Sequence, residues 1–160
     1  MGKEAKTNAM RMLERAKIAY EAHEYPHEEG VAVDGVRVAE SMGQNPDCVF
    51  KTLVTQGADK NYYVFVIPID GELDLKKAAK AVGQKSLSMI PVKEINAVTG
   101  YIRGGCTAIG MKKQYKTVIH KAAMNLETMI VSGGRIGSQI ELKPEDLKVA
   151  VNAEFSDVLL

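Results

Sequence analysis

Cysteine is scarce in this chain, and long apolar runs and an excess of either charge are missing. The two cysteines, Cys48 and Cys106, lie far apart without CxxC spacing, which excludes a disulfide framework and a zinc knuckle and points to a reducing cytoplasm. The longest apolar stretch, Val64 to Ile69, is too short to cross a bilayer. The first residues, MGKEAK, lack the apolar core of a signal peptide and place Lys6 where a myristoylation signal requires Ser or Thr, so a cytoplasmic protein without a membrane partner is expected. With 21 basic and 20 acidic side chains the formal charge is +1, which excludes a generally basic, nucleic-acid-coating protein. A GxGxxG fingerprint is absent, as are internal repeats and low-complexity segments. The 160 residues fit one domain, 1–160, able to bury a core without disulfides or a structural metal.

What is present reads as an irregular mixture of helices and strands. Thr7 caps a first helix with an apolar stripe of Ala9, Met10, Met12, Leu13 and Ala16 that extends to Lys17. Alternation through Ile18, Tyr20 and Ala22 predicts a short strand closed by Tyr25-Pro26. A helix over Val36 to Met42 stops at Gly43, and Asn45-Pro46 begins a further turn. Val49 to Thr55 and Tyr62 to Ile69 flank a turn-like segment and should pair as an antiparallel hairpin. Leu73 to Val82 reads as an amphipathic helix and Pro91 starts another that ends before Gly100. Strands are predicted at Thr117 to His120, Thr128 to Ser132 and Ser138 to Leu142, and Pro144 starts a last helix. This order is not a regular βαβ alternation, so the expected fold class is α+β.

Two features do not follow from packing. Lys51 stands in the run VFKTLV on the side of Val49 and Leu53, where alternation calls for an apolar residue. An ammonium there is costly without an anionic partner or a wet cleft. In GYIRGGCTAIG, Gly100 to Gly110, the pair Gly104-Gly105 sacrifices order and gives access to the backbone, as a ligand held by amide groups requires. Just beyond it, Lys112, Lys113 and Lys116 interleave with Tyr115 as a local basic patch open to phosphate. His23 and His27 are four apart, but Pro26 lies between them, so a helical metal pair is not expected.

The motifs FKTL at Phe50, LDLKKAAK at Leu73, TGYIRGGC at Thr99, VSGGR at Val131 and IEL at Ile140 resemble, in order, the successive signatures of the YbaK/EbsC family. That family shares its fold with the editing domain of bacterial prolyl-tRNA synthetases. Its characterised members are aminoacyl-tRNA deacylases, notably removing cysteine from tRNA(Pro). The resemblance implies a mixed, curved, barrel-like β-sheet flanked by helices and the acceptor end of an aminoacyl-tRNA as partner; on the motifs of the sequence itself no cofactor and no metal are expected. By resemblance Lys51 is the catalytic cation that holds negative charge at the attacked ester. Gly104 and Gly105 approach the aminoacyl group with their amides, and Tyr20, with Tyr25 as rival, walls the substrate. Thr107, Gly133 and Gln139 complete the substrate-binding set. In cysteine-specific members the substrate's thiol attacks its own ester, which makes Cys106 a bystander.

The chain departs from the family's usual Gly-Gly-x-Ser-Pro-x-Gly at Thr107 and Ala108, and Gln139 stands where a cysteine-specific form has a carboxylate. A near-neutral protein should bind tRNA weakly and with marked salt dependence, so association with prolyl-tRNA synthetase would help it reach substrate. A noncatalytic module holding aminoacyl-adenosine or docking on a synthetase is the competing reading. Lys51 as a Schiff-base nucleophile, and a thiol-histidine pair from Cys48 or Cys106 with His120, are weaker ones.

Overall fold

In a computed structural model, which describes residues 6–160, strand alternation divides the apolar side chains between two cores. Strand β2 (Phe50–Gly57) pairs antiparallel with β3 (Tyr62–Pro68), Lys51 opposite Ile67 and Leu53 opposite Phe65. Phe50, Val54, Val64 and Val66 face one core, and Tyr63, Phe65 and Ile67 face the other. Both faces of these strands are covered, which explains why β3 reads as a continuous apolar run. Strands β4 (Leu87–Met89), β5 (Lys116–His120) and β8 (Glu154–Ser156) complete a five-stranded sheet in the order β4-β2-β3-β5-β8, with β3-β5 and β5-β8 parallel.

The larger core lies between this sheet and a smaller antiparallel one, β1 (Glu21–Glu24), β7 (Ser138–Leu142) and β6 (Met129–Ser132), ordered β1-β7-β6. Met129, Val131, Ile140 and Leu142 point into it, and helices α1 (Asn8–Arg15) and α5 (Pro144–Val151) close it with Ala9, Met10, Leu13, Leu147 and Val151. Helix α3 (Leu75–Ala81) covers the second core with Ala78 and Ala79. Two further short helices are α2 (Gly35–Ser41) and α4 (Ile95–Thr99). A single parallel bridge, Val49 to Ile130, links the two sheets. The α+β class with a mixed sheet is therefore as expected, but the sheets stay open and do not close into a barrel.

Thr7 caps α1 as predicted, its Oγ1 accepting from Met10 N at 3.2 Å. The helix ends before Lys17, however, because Lys17 takes a left-handed φ of 60° and Ile18 N turns back to Leu13 O at 2.9 Å. That closure uses up the residues expected to begin a strand, so β1 starts at Glu21. Ile18 and Tyr20 instead pack their side chains on the larger core.

His120 ties the last residues to β5. It is 7% exposed, and its Nδ1 accepts from Val158 N at 3.3 Å. Burial holds the imidazole below its ordinary value of 6.5, against the pull of the Asp157 carboxylate. The folded state thus binds the proton less readily than the unfolded chain, and this stabilisation is present above pH 6.5 and is lost as pH falls below it through the folded-state value. Urea denaturation of wild type and His120→Asn should show wild type ahead at neutral pH and the gap narrowing at about pH 5. A gap independent of pH would contradict the buried neutral imidazole.

Candidate functional site

A cleft of about 500 Å³ opens where the start of β2 meets the loop preceding α2, the segment 103–106 and the β6–β7 hairpin. This is within the size range of small-ligand sites. Lys51 lines it, half-buried on the face of β2 that Val49 and Leu53 share. Strand pairing fixes its backbone opposite Ile67. Among the described residues neither Lys51 nor Arg103, the other cation of the lining, has an ion-pair partner. Asp34 is the carboxylate of the lining. A smaller cavity of about 280 Å³, bordered by Met124, Leu126 and Phe155, contains none of the expected site residues.

The glycine pair serves two close approaches. Gly104, at the cleft, has φ +87° and sits so near Ala32 that a Cβ would lie 2.8 Å from the Ala32 Cβ. Gly105 is packed on the backbone of the β6–β7 turn, where a Cβ would stand 2.7 Å from Arg135 Cα. Its N–H closes a turn onto Ile102 O at 2.9 Å. Gly104 therefore belongs to the wall and Gly105 to its support.

Of the other expected residues, Gln139 lines the cleft. It is 5% exposed and reciprocally bonded to Gln44: Gln44 Nε2 donates to its Oε1 at 2.8 Å, and its Nε2 donates to Gln44 Oε1 at 3.3 Å. Gly133 lies behind the lining residues Ser132 and Ser138, and a Cβ on it would collide with Ser138 Oγ. That buried hydroxyl has no hydrogen-bond partner among the described residues. Thr107 points inward, 1% exposed, with its hydroxyl accepting from Ile109 N at 3.4 Å.

Tyr20 lies outside the cleft. Its hydroxyl donates to Glu14 Oε2 at 2.6 Å, and burial, with the Glu14 carboxylate, pushes its phenol up to about 12. Tyr25 lines the cleft in its stead, 9% exposed and held by its N–H to Gly137 O at 2.9 Å. Strand β1 ends at Glu24, so this bond lies one residue beyond the strand.

Cys106 lines the cleft too, but burial raises its thiol to about 11, and its Sγ lies 4.0 Å from Thr99 Oγ1. A thiol protonated at neutral pH is a poor nucleophile. His120 is committed to Val158, not to a cysteine. His23 Nε2 meets Glu141 Oε1 at 2.8 Å while His27 Nδ1 faces Tyr25 O at 3.2 Å, so the two histidines do not converge. Glu21 joins His23 and Glu141 within 4.8 Å; Glu141 is already engaged by Thr128 and His23, whose hydrogen bonds hold its carboxyl below the usual range. In the basic patch, Lys112 Nζ bonds Ala97 O and Tyr115 OH bonds Val98 O, away from the cleft lining. Arg103, Asp34 and Ser138 were not singled out in the sequence, where a loop arginine or a strand-end serine carries no distinguishing signal.

Fold and cleft together define an α+β protein with a strand lysine, without an ion-pair partner among the described residues, and a glycine of the 103–106 segment in one cleft lining. Residues 30–149 match the family model of the aminoacyl-tRNA editing domain. The chain is 46% identical over 153 residues, covering 96% of it and 93% of the relative, to the Enterococcus faecalis protein named "Putative Cys-tRNA(Pro)/Cys-tRNA(Cys) deacylase EbsC". It is 26% identical over 120 residues to the Bacillus subtilis protein YwhH, covering 75% of this chain and 73% of that one. A solved structure described as "a putative trans-editing enzyme for prolyl tRNA synthetase" shares the fold, with a TM-score of 0.81 at 21% identity over 98% of this chain and 99% of the other. The chain belongs to the aminoacyl-tRNA editing domain family. Among the described residues no helix is long and apolar enough to cross a membrane.

Proposed function

We propose that the chain, acting as one editing domain, removes a mischarged amino acid from tRNA in trans, with cysteine on tRNA(Pro) as the foremost substrate. The observation that carries this reading is Lys51: a cation without an ion-pair partner among the described residues, fixed on a strand in a cleft of ligand size. The terminal adenosine and its aminoacyl ester would enter the cleft, with the ester carbonyl near Lys51 Nζ and the wall formed by Gly104. Lys51 stabilises the oxyanion that develops as the carbonyl is attacked, a role a preorganised cation performs without reorienting. Gly105 supports the wall, Tyr25 and Gln139 border the amino acid, and Gly133 keeps the β6–β7 turn close.

The attacking group comes from the substrate or from water, since the Cys106 thiol is protonated at neutral pH. With cysteine, its sulfur forms a bond to the ester carbon, the bond from that carbon to the ribose oxygen breaks, and the thiol proton ends on the ribose hydroxyl. The products are free tRNA and a small, strained cyclic thioester. With water, free amino acid is released instead. The E. faecalis relative's name also includes Cys-tRNA(Cys), which supports recognition of the amino acid ahead of the tRNA body. A prolyl-tRNA synthetase would then supply the choice of tRNA by delivering it, in the reducing cytoplasm where translation runs.

The test is deacylation of tRNA(Pro) charged separately with cysteine, alanine, serine and proline. Selective release of cysteine is expected. Release of alanine or serine in its place would reassign the specificity and require water as the nucleophile for alanine, whereas binding of charged tRNA with no release at all would favour a noncatalytic module.

A further inference from the structure

One cation of the cleft, Arg103, takes no part in that chemistry. Arg103 lines the cleft from the turn in which Gly105 N returns to Ile102 O at 2.9 Å. Its residue is exposed, where Lys51 is half-buried, so the two cations stand at different depths. Among the described residues it has no carboxylate or hydrogen-bond partner. The turn is also braced: Gly104 sits against Ala32 and Ile136, so close that a Cβ there would meet both. An arginine that were only a solubilising surface charge would need neither a braced turn nor a place in the cleft wall.

We infer that Arg103 binds the phosphodiester on the 5′ side of the terminal adenosine. This rests on the reading of the cleft as an aminoacyl-adenosine site. In such a ligand the ester and the 5′ phosphate leave the ribose on opposite sides. When the ester is placed at the deeper cation, the phosphate emerges at the mouth. The guanidinium presents a planar fork of donors that matches two phosphate oxygens, and the phosphate is the one permanent anion this substrate carries there. Lys51 and Arg103 thereby divide the work: the first acts on charge that develops during reaction, the second on charge present from the start.

The test uses calorimetric binding of two stable analogues in which the aminoacyl group is joined to 3′-aminoadenosine through an amide, one with and one without a 5′ phosphate. Wild type should bind the phosphorylated analogue about tenfold more tightly, the lower end for an exposed charge-assisted contact. In Arg103→Ala the preference should vanish while affinity for the phosphate-free analogue stays unchanged, which also shows that the cleft is intact. Arg103→Lys should retain part of it, because the charge remains and the fork is lost. Added salt should weaken wild-type binding of the phosphorylated analogue by screening, and that sensitivity should largely disappear in Arg103→Ala. No preference in wild type, or a preference that survives in Arg103→Ala, overturns the inference. An Arg103-dependent preference in a protein that deacylates no charged tRNA would uphold the phosphate contact and refute the deacylase reading.

Discussion

Lys51→Ala should lower kcat for deacylation about 100- to 1000-fold, the loss seen when one preorganised oxyanion donor is removed, with little change in KM. The asymmetry follows from where the charge acts. A cation that meets the carbonyl only as it becomes an oxyanion stabilises the transition state and contributes little to the bound ground state. Stability should change by less than about 1 kcal/mol. The β2 backbone keeps its pairing to β3 whatever the side chain at position 51, because the Phe50–Pro68 and Thr52–Val66 pairs flank it, and no ion pair among the described residues is lost with it. Lys51→Met separates charge from packing, since it keeps most of the apolar stem and removes the ammonium; it should be as inactive as the alanine variant. Lys51→Arg keeps the charge on a longer, planar group and should recover part of the rate. Wild-type turnover in Lys51→Met would remove Lys51 from the chemistry.

The central hairpin was legible because both β2 and β3 carry apolar residues on two faces, and the misfit of Lys51 in that pattern was legible for the same reason. Helix starts were marked by Thr7, Asn45 and Pro144, each of which begins the element or turn it was expected to begin. Strands β4 and β8 were not legible. Each is three residues long, too short for periodicity, and each exists because a neighbour offers an open edge: β2 for Leu87–Met89 and β5 for Glu154–Ser156. Which of Tyr20 and Tyr25 lines the cleft was not legible for a related reason. Tyr20 lies in the predicted strand and Tyr25 closes it, and the long-range bond from Tyr25 N to Gly137 O is what brings Tyr25 to the cleft. Arg103 lies inside the motif TGYIRGGC but was not singled out from it, because what distinguishes it is its place in the cleft lining.

Gly105→Ala should be damaging although its backbone conformation suits any residue. The added methyl would stand 2.7 Å from Arg135 Cα, 2.9 Å from Arg135 C and 3.0 Å from Ile136 N. All three are backbone atoms, so no side-chain rotation relieves the overlap and one segment must move. Overpacking of this kind costs about 1–3 kcal/mol, which in a chain of this size lowers Tm by roughly 2–4 °C per kcal/mol. The functional loss should be larger than the stability loss. The displaced segment runs through Gly137, whose carbonyl holds Tyr25, into Ser138 and Gln139, while the other side of the contact carries Arg103 and Gly104. Moving them apart widens the cleft on two walls at once, and a misplacement of about 1 Å is enough to cost about 100-fold in rate. Gly104→Ala offers the contrast. There the penalty combines a left-handed φ of +87° with contacts at 2.8 Å to Ala32 Cβ, 3.2 Å to its Cα and 3.3 Å to Ile136 Cγ1, of which the closest is to a residue outside the 135–139 segment. That variant should lose about 1–2 kcal/mol and keep more activity than Gly105→Ala. Thermal melts and deacylation rates of the two variants, measured side by side, check the order; a Gly105→Ala protein with wild-type Tm and wild-type turnover would mean that the contact with the 135–136 backbone does not set the cleft's geometry.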